Sequence, residues 1–282
     1  MKRESRKLVL FATPAFAALL AGSPMDAYAA QASGATAPAT EGAVVGDVVV
    51  TAQKREQKLQ DVPISVTVLG GQQLDSLQIR SGTDIARQTP NLRVSNLGNE
   101  DQPKFAIRGI ATPDFNLNTT SPIGAFYDEV YVAEQWLGGP QIFDMERVEI
   151  LRGPQGTLFG KNTTGGAINF ITRAPNFNAD GYVTGELGSN GYYHVTGAVE
   201  TPLVDDKLAM RLAFNFTKSD GWVKNLFQSP LAKNLSSINN RAFRLSLKYR
   251  SDDFDATLRL ISTDSNPTNI GIIAFGTNPD GT

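Results

Sequence analysis

The residues whose spacing comes nearest to a known chemical site run from Gly156 to Lys161 and read GTLFGK. Glycines ahead of a lysine can cradle a phosphate, because backbone N–H groups converge there and the ammonium group adds charge. A P-loop, however, needs four residues between its glycines and Ser or Thr directly after the lysine. Here three residues separate the glycines and Asn162 follows the lysine. The next residues are turn-prone and then strand-like, so the sequence predicts no helix N-terminus facing a phosphate.

The other side chains that could do chemistry are few. The chain has no cysteine and a single histidine, His194, which excludes disulfides, thiolate chemistry and a histidine metal cluster. Asp252, Asp253 and Asp255 lack the glycine and the final glutamate of a calcium loop, and we interpret them as a turn. No Ser-His-Asp set or paired carboxylates stand out. We therefore predict no catalytic residue, no metal site and no cofactor.

The elements around the glycine-rich segment are strands. Residues 146–151 and 167–171 alternate apolar and polar side chains, with Val, Ile and Phe at the apolar positions. Glycine tolerates backbone angles that other residues resist, so the connection can be compact. The same criteria predict strands at 64–69, 105–110 and 124–132, and helices at 72–78 and 83–88, with Ser81 or Thr83 as the second N-cap. The sequence thus predicts a small α+β domain.

After Pro175 the pattern changes to long alternating strands. Five are predicted, at 182–187, 192–201, 208–218, 241–250 and 254–264. In the third, Leu208, Met210, Leu212, Phe214 and Phe216 share one face, and Ala209, Arg211, Ala213, Asn215 and Thr217 share the other. The fourth repeats this pattern, with an apolar face of Phe243, Leu245, Leu247 and Tyr249 and a polar face of Arg244, Ser246, Lys248 and Arg250.

Such alternation fits either a soluble sandwich or a transmembrane β-barrel. Short connections at 188–191, 202–207 and 251–253, with a long one at 219–240, favour the outer-membrane barrel, whose long loops face the exterior. His194 then lies on the inward face with Thr196 and Glu200, either as a solvated lumen residue or as a ligand contact.

The N-terminal residues indicate export. Residues 1–29 have a basic start, an apolar middle and the small-residue site Ala27-Tyr28-Ala29, which is typical of a signal peptide. A membrane anchor is the alternative, but a span needs about 20 apolar residues and this run is shorter. Residues 30–46 are small and polar, which predicts a flexible tail. The net charge of −2 gives no reason to expect nucleic acid.

The next six residues, Asp47, Val48, Val49, Val50, Thr51 and Ala52, favour an extended backbone because three of them are β-branched valines in a row. After a flexible tail, such a segment can add as a strand to the sheet edge of a partner protein. It can equally be the first strand of the following domain. The residues alone leave both readings open.

The run ERVEILRGPQGTLFGKNTTGGAINFITRAP, residues 146–175, closely resembles the plug domain of TonB-dependent outer-membrane receptors. This resemblance implies a plug domain at 53–175 and, at 176–282, the start of an outer-membrane β-barrel truncated after about five strands. It identifies residues 47–52 as a TonB box. The implied partners are TonB with its inner-membrane energising complex, outer-membrane lipid and an extracellular small-molecule ligand, most often a ferric siderophore. Nothing catalytic is implied.

Two arginines lie within otherwise apolar strands, Arg108 in FAIRGI and Arg152 in EILRGP. A buried unpaired arginine is costly, so each lies on a solvated face or has a partner. The resemblance implies that they form a plug–barrel lock with barrel glutamates, which we expect beyond residue 282. A different class of function, a periplasmic TonB-binding fragment without transport, remains as the alternative.

Overall fold

A computed structural model describes residues 49–52, 54–96, 103–112, 119–132, 141–225 and 234–268. All of them belong to one compact unit, residues 46–282. The predicted signal peptide, the predicted tail, and Asp47 and Val48 lie outside the described residues. Among the helices described, none is both long and apolar enough to cross a membrane.

The first part of the unit is built on a mixed sheet of five strands in the order β3-β8-β9-β6-β7, with only the β6–β9 pair parallel. Its strands are β1 (Val49–Val50), β2 (Gln57–Lys58), β3 (Ser65–Gly70), β4 (Leu92–Asn96), β5 (Pro103–Ile107), β6 (Ile123–Tyr127), β7 (Val130–Tyr131), β8 (Met145–Arg152) and β9 (Gly166–Thr172). The helices are a 3-10 turn (Leu59–Asp61), α1 (Gly71–Ser76), α2 (Gly82–Gln88) and α3 (Gly156–Phe159). The pairs β1–β2 and β4–β5 form separate two-stranded ribbons.

The apolar residues of β8 and β9 point to two faces, and each face packs into its own core. Val148, Ile150 and Phe170 pack into a large core that α1, α2 and β5 cover. Leu151 and Ala167, on the opposite face, pack into a smaller core. A central strand buried on both sides carries apolar residues on both faces. Glu149, on this second face, is a fully buried carboxylate, and its surroundings are described below.

The element boundaries follow local chemistry. Ser81 caps α2 in a capping box with Asp84, which decides between the two predicted N-caps. The single strand predicted at 124–132 is wrong: it is broken into β6 and β7 because Asp128 and Glu129 form a turn, with φ of 46° and 69°. Gly160 has a φ of 87° directly after α3, a conformation that favours glycine.

The second part is an antiparallel sheet in the order β10-β11-β12-β15-β16. Its strands are β10 (Asp180–Leu187), β11 (Tyr193–Val204), β12 (Leu208–Ser219), β15 (Ile238–Arg250) and β16 (Asp255–Ser265), while β13 (Val223–Lys224) and β14 (Asn234–Leu235) pair within the long connection. The five predicted strands all form, and each ladder joins neighbours in sequence.

The antiparallel sheet curves around the mixed sheet with its small residues inward. Ala198, Ala213 and Ala242 are buried against Phe143, just ahead of β8. The other face is apolar and exposed. There the ring of Phe214 lies over Gly197, where an added Cβ would come within 2.8 Å of it. Small side chains on the inner face let the two sheets approach closely, which brings the following side chains together.

Candidate functional site

The two sheets are joined by the side chain of Asp144, which precedes β8 with a φ of 51°. It is buried and accepts hydrogen bonds from two arginines of the antiparallel sheet. Arg211 donates from Nε to Oδ2 at 2.9 Å and from Nη2 to Oδ1 at 2.5 Å. Arg244 donates from Nη2 to Oδ2 at 2.9 Å. The hydroxyl of Tyr182 donates to Oδ1 at 3.2 Å. One carboxylate thereby joins three strands, β10, β12 and β15.

Arg244 makes further contacts and has only 1% of its surface exposed. It donates to the backbone carbonyl of Asp144 at 2.8 Å and to the hydroxyl oxygen of Tyr127 at 2.7 Å. Its guanidinium carbon lies 4.7 Å from the ring centroid of Phe143. Burial raises the pKa of Tyr127 to about 12, although the neighbouring Arg244 works against this, so the phenol stays neutral at physiological pH.

The second acid of this group is Glu200 on β11. Its side chain is 2% exposed, and Oε2 lies 2.9 Å from Nη1 of Arg211. Asn176 donates to its other oxygen at 2.6 Å. Two arginines therefore face two carboxylates, and the charges balance. A buried ion pair is tolerated only where its remaining donors and acceptors are also hydrogen-bonded, as they are here. We call Asp144, Glu200, Arg211, Arg244 and Tyr182 the Asp144 network.

Sequence reasoning missed this network, although it placed Arg211 and Arg244 on the polar face of their strands. Neighbouring strands carry them at adjacent levels, since Ala213 pairs with Arg244 and Arg211 with Ser246. Two inward arginines at nearly the same height are a signal for a shared acidic partner. The partner itself is distant in sequence, and no local pattern indicates it.

Further polar side-chain contacts join the mixed-sheet part of the structure to the antiparallel sheet. Arg80, just ahead of α2, forms an ion pair with Glu186 of β10. Asp128, in the β6–β7 turn, lies 3.4 Å from Nε of Arg259 on β16. Asn215 donates to the side-chain oxygen of Gln141 at 3.2 Å.

His194 faces inward, as the alternation predicts, but the interpretation of a solvated lumen residue is wrong. The residue is only 5% exposed, and its imidazole contacts the side chain of Asn215. Its Nε2 lies 2.7 Å from Oδ1 of Asn215, whereas its Nδ1 has no hydrogen-bond partner in the part of the chain described.

The predicted lock arginines lie at the far end of the mixed sheet. Arg108 is exposed in a turn with a φ of 52°. Arg152 ends β8 and donates to the hydroxyl of Ser65 at 3.2 Å and also to that of Thr67, and its Nε has no hydrogen-bond partner among the described residues. Burial and the nearby Arg108 lower the pKa of Arg152. Neither arginine lies within 4.0 Å of a carboxylate of the described residues. Their role as a lock stays a prediction.

The described part of the predicted TonB box, residues 49–52, is bound to the mixed-sheet domain. Val49 and Val50 pair with Lys58 and Gln57, and Val50 and Ala52 are fully buried in the smaller core. The segment thus occupies the place of a first strand in this conformation. Whether it also serves as a TonB box stays a prediction.

Thr51 connects this segment to β8. Its N–H donates to Oε1 of Glu149 at 2.8 Å, and its hydroxyl donates to the same oxygen at 3.2 Å. Glu149 is fully buried, and Nε of Arg147 neutralises it at 2.8 Å. Its other oxygen lies 3.4 Å from Nδ2 of Asn169. A backbone amide of the 49–52 segment therefore belongs to the hydrogen-bond shell of a buried carboxylate.

Nucleotide or metal chemistry finds no support in these side chains. The GTLFGK segment forms the four-residue helix α3, and Gly160 then turns the chain away. Across the described ranges, no group of three His, Cys, Asp or Glu residues is placed to hold a metal ion.

Residues 58–167 match the family model described as "TonB-dependent Receptor Plug Domain". This stretch is a TonB-dependent receptor plug domain, and it coincides with most of the mixed-sheet domain. The antiparallel sheet that follows is an incomplete barrel, not closed in these residues. The predicted fold class, an α+β plug followed by the first antiparallel strands of an incomplete transmembrane barrel, is confirmed, and the protein is located in the outer membrane.

Curated relatives carry consistent names. The receptor is 29% identical over 170 residues to the pesticin receptor of Yersinia pestis, which covers 57% of this chain and 24% of that protein. It is 33% identical over 132 residues to an iron-regulated outer membrane virulence protein of Vibrio cholerae. This alignment covers 45% of this chain and 20% of that protein. The chain therefore spans about a quarter of the length of these relatives. The first of these relatives is a receptor by name, and the second is an outer-membrane protein by name.

Solved structures show the same fold. The ferric yersiniabactin uptake receptor FyuA of Yersinia pestis aligns with a TM-score of 0.61 and 26% identity over 67% of this chain and 29% of that one. The pyoverdine outer membrane receptor FpvA of Pseudomonas aeruginosa aligns with a TM-score of 0.64 over 77% of this chain and 30% of that one. At 20% identity the second comparison supports the fold alone.

Proposed function

We propose that the protein containing these residues takes up an extracellular ligand across the outer membrane, driven by TonB, and that the ligand is an iron chelate. The names of the pesticin, ferric yersiniabactin and iron-regulated relatives support this class of ligand. The observation that carries the proposal is the placement of β8. One end of this strand follows Asp144 at the barrel, and its middle residue, Glu149, holds the 49–52 segment.

Each part has a role in this scheme. The Asp144 network seats the plug against the inner face of the barrel. Residues 47–52 are the TonB box, and β2 and Glu149 hold its described part, residues 49–52, in the resting receptor. TonB binds it by strand addition, using the backbone groups that β2 occupies at rest. A pull on the segment then reaches β8 through Thr51 and Glu149, and the plug rearranges to let the ligand pass.

The test is Val49→Pro in the receptor expressed from its native gene. Proline removes a backbone donor and crowds the residue before it, so strand addition to TonB should fail. We expect cells to bind radiolabelled ferric chelate normally and to lose energised uptake. Val49→Ala is the matched control, because it keeps the backbone N–H at a position where the side chain is 44% exposed. Normal uptake by the proline variant would overturn the assignment of the box.

The alternative of a soluble periplasmic fragment is disfavoured by the outer face of the barrel strands. Val183, Leu187, Phe243, Leu258 and Leu260 are exposed there, from 44% to 90% of each residue. A soluble protein rarely exposes so continuous an apolar surface, whereas lipid would cover it. Cell fractionation distinguishes a transporter from a soluble fragment, because a transporter would be recovered with the outer membrane and a fragment that competes for TonB would be recovered from the periplasm.

A further inference from the structure

The outer, lipid-facing side of the barrel strands carries two cations. Lys218 on β12 and Arg241 on β15 are both exposed, and neither has an ionic partner among the described residues. Side chains two residues apart along a strand point the same way, so Lys218 shares its face with Phe216, and Arg241 shares its face with Phe243. The Asp144 network lies on the other face of the same sheet. These two cations therefore take no part in holding the plug.

The strand register brings the two cations together with a tyrosine. Tyr193 pairs with Lys218, and Arg241 pairs with Phe216, which is two residues from Lys218 along β12. Directly paired residues have Cβ atoms about 5 Å apart, and diagonal neighbours lie about 7–8 Å apart. Tyr193 is 39% exposed. An ammonium group, a guanidinium group and a phenol hydroxyl thus lie within reach of one phosphate group.

This group of side chains lies at one edge of the apolar band. Arg241 and the exposed Tyr249 lie near opposite ends of β15. At about 3.4 Å per residue they are about 27 Å apart along the strand, or about 20 Å apart in height at a tilt of about 40°. That height approaches the roughly 25 Å of the apolar band of an outer-membrane barrel. The cations are therefore at the level of lipid headgroups, where a charge on the lipid-facing side is tolerated.

The lengths of the connections indicate which leaflet the cations face. The connection between β12 and β15 follows Lys218 closely and precedes Arg241, and it is much longer than the turn between β15 and β16. Long connections of outer-membrane barrels face the exterior. The outer leaflet of a bacterial outer membrane is built from lipopolysaccharide, whose lipid A anchor carries phosphate groups on its sugars. Cations at this level therefore face phosphate groups.

An aromatic surface lies next to the cations, toward the centre of the membrane. The ring centroid of Phe216 is 5.8 Å from that of Phe214 and 5.2 Å from that of Phe243. Phe243 is 44% exposed, so acyl chains can lie against it. One acid is close by, Asp264 on β16, which pairs with Arg241 in the strand register without a described ion pair. With two cations and one acid, the group keeps a positive charge.

We propose that Tyr193, Lys218 and Arg241 bind a phosphate group of lipid A on the outer surface of the barrel, with Phe216 and Phe243 against its acyl chains. The planar guanidinium group can donate two parallel hydrogen bonds to a phosphate, and the lysine ammonium group adds a point charge. The tyrosine hydroxyl donates a further hydrogen bond. This lipid site is on the opposite face of the sheet from the plug, so it goes beyond the proposed uptake function.

The test uses the full-length protein expressed from its native gene, purified from outer membranes and delipidated in detergent. Native mass spectrometry measures the bound fraction of three probes: diphosphoryl lipid A, dephosphorylated lipid A and phosphatidylglycerol, an anionic phospholipid. We expect diphosphoryl lipid A to bind at least about fivefold more tightly than either of the other two, because each cation near a membrane surface contributes about that factor.

Variants place the binding on the outer face. Lys218→Gln and Arg241→Gln each remove one cation and should each weaken the binding of diphosphoryl lipid A about fivefold. Arg241→Lys keeps the charge and should retain most of the binding. Lys248→Gln is the matched control, because it removes the same charge from β15 on the inner face, where Lys248 lies 3.7 Å from Asp255. Unchanged heat-modifiable mobility shows that each variant has folded.

The outcomes decide between the outer-face site and its alternatives. Weaker binding that is confined to the Lys218 and Arg241 glutamine variants supports the site. Equal binding of phosphorylated and dephosphorylated lipid A, tighter binding of phosphatidylglycerol, or an equal loss with Lys248→Gln would each overturn the inference. So would full binding by both outer-face variants. Uptake of a ferric chelate is measured separately, and its loss would contradict the proposed function without affecting the lipid site.

Discussion

The two ends of β8 differ in how their charges are satisfied. At its start, the Asp144 network buries two arginines and two carboxylates with balanced charge and complete hydrogen bonding of the Asp144 carboxylate. At its end, about 25 Å away along an eight-residue strand, Arg108 and Arg152 lie near each other with no described carboxylate in contact. The charged side chains at the start of β8 thus have oppositely charged partners, whereas the arginines at its end have none among the described residues.

This difference indicates which end is fixed. Removing one partner from a buried group of ion pairs with balanced charge leaves a buried charge without compensation. Such a group therefore resists rearrangement. Arg152 donates only to the hydroxyl groups of Ser65 and Thr67 among the described residues and lies near the like charge of Arg108, so an acidic partner would stabilise it. We infer that the plug is held to the barrel at Phe143–Asp144 and that the end at Arg152 depends on contacts from elsewhere.

The largest expected effect comes from Asp144→Asn. It leaves Arg211 and Arg244 facing each other without their shared charge, which costs about 3–5 kcal/mol. Hydrogen exchange measured by mass spectrometry should show protection of the β8 amides falling by at least about a hundredfold. Asp252→Asn, in an exposed turn, is the control. Unchanged protection would show that the Asp144 network does not seat the plug.

A double-mutant cycle sharpens the same point. Arg211→Met and Asp144→Asn should be strongly non-additive, with a coupling of about 1–3 kcal/mol in thermal stability, because the two side chains share two hydrogen bonds. The cycle of Arg250→Met with Asp144→Asn should be additive, since Arg250 pairs with Asp255. Additivity in the first cycle would contradict the proposed network.

A smaller effect is expected at the middle of β8. Glu149→Gln keeps the shape but removes the charge that Arg147 and the amide of Thr51 share, which should cost about 1–3 kcal/mol. The Val50 and Thr51 amides should exchange faster while the rest of β8 remains protected. The control is Glu146→Gln, which alters the exposed partner of Arg147. If the segment stays equally protected, Glu149 does not hold it.

The smallest effect within the described contacts belongs to Arg108→Ala. The side chain is exposed and lies near a like charge, so we expect a change below about 0.5 kcal/mol in the protection of β8. A loss of about 3 kcal/mol or more in the receptor expressed from its native gene would instead reveal an acidic partner outside the described residues, as the lock predicts.

Much of the fold followed from periodicity. The alternation of the five barrel strands and of β8 and β9 located these elements within a few residues, because each has a buried and an exposed face or two buried faces. The β6–β7 turn was missed because Asp128 and Glu129 adopt positive φ without glycine. The short β1–β2 pair is set by tertiary packing of Val50 rather than by local preference.

Less of the site than of the fold could be predicted from the sequence. Arg211 and Arg244 were placed on the correct face, but their partner Asp144 is distant in sequence and has no distinguishing pattern. His194 was predicted to be solvated because a lumen implies water, whereas only 5% of the residue is exposed and its Nε2 contacts Asn215. Which inward residues become buried depends on how closely a second domain approaches, and the alternation of one strand carries no information on that distance.

The short pairing of β1 with β2 also has a mechanical meaning. Val49 pairs with Lys58, so the chain before Val49 and the chain after Lys58 lie at the same end of the β1–β2 pair. A force that pulls on the chain before Val49 is therefore applied across that end alone. A ladder loaded in this way peels one bond at a time instead of shearing all its bonds together. Each bond contributes only about 1 kcal/mol, far less than the buried ions around Asp144. Under a rising load the first strand should therefore detach at low force, long before the seat of the plug yields.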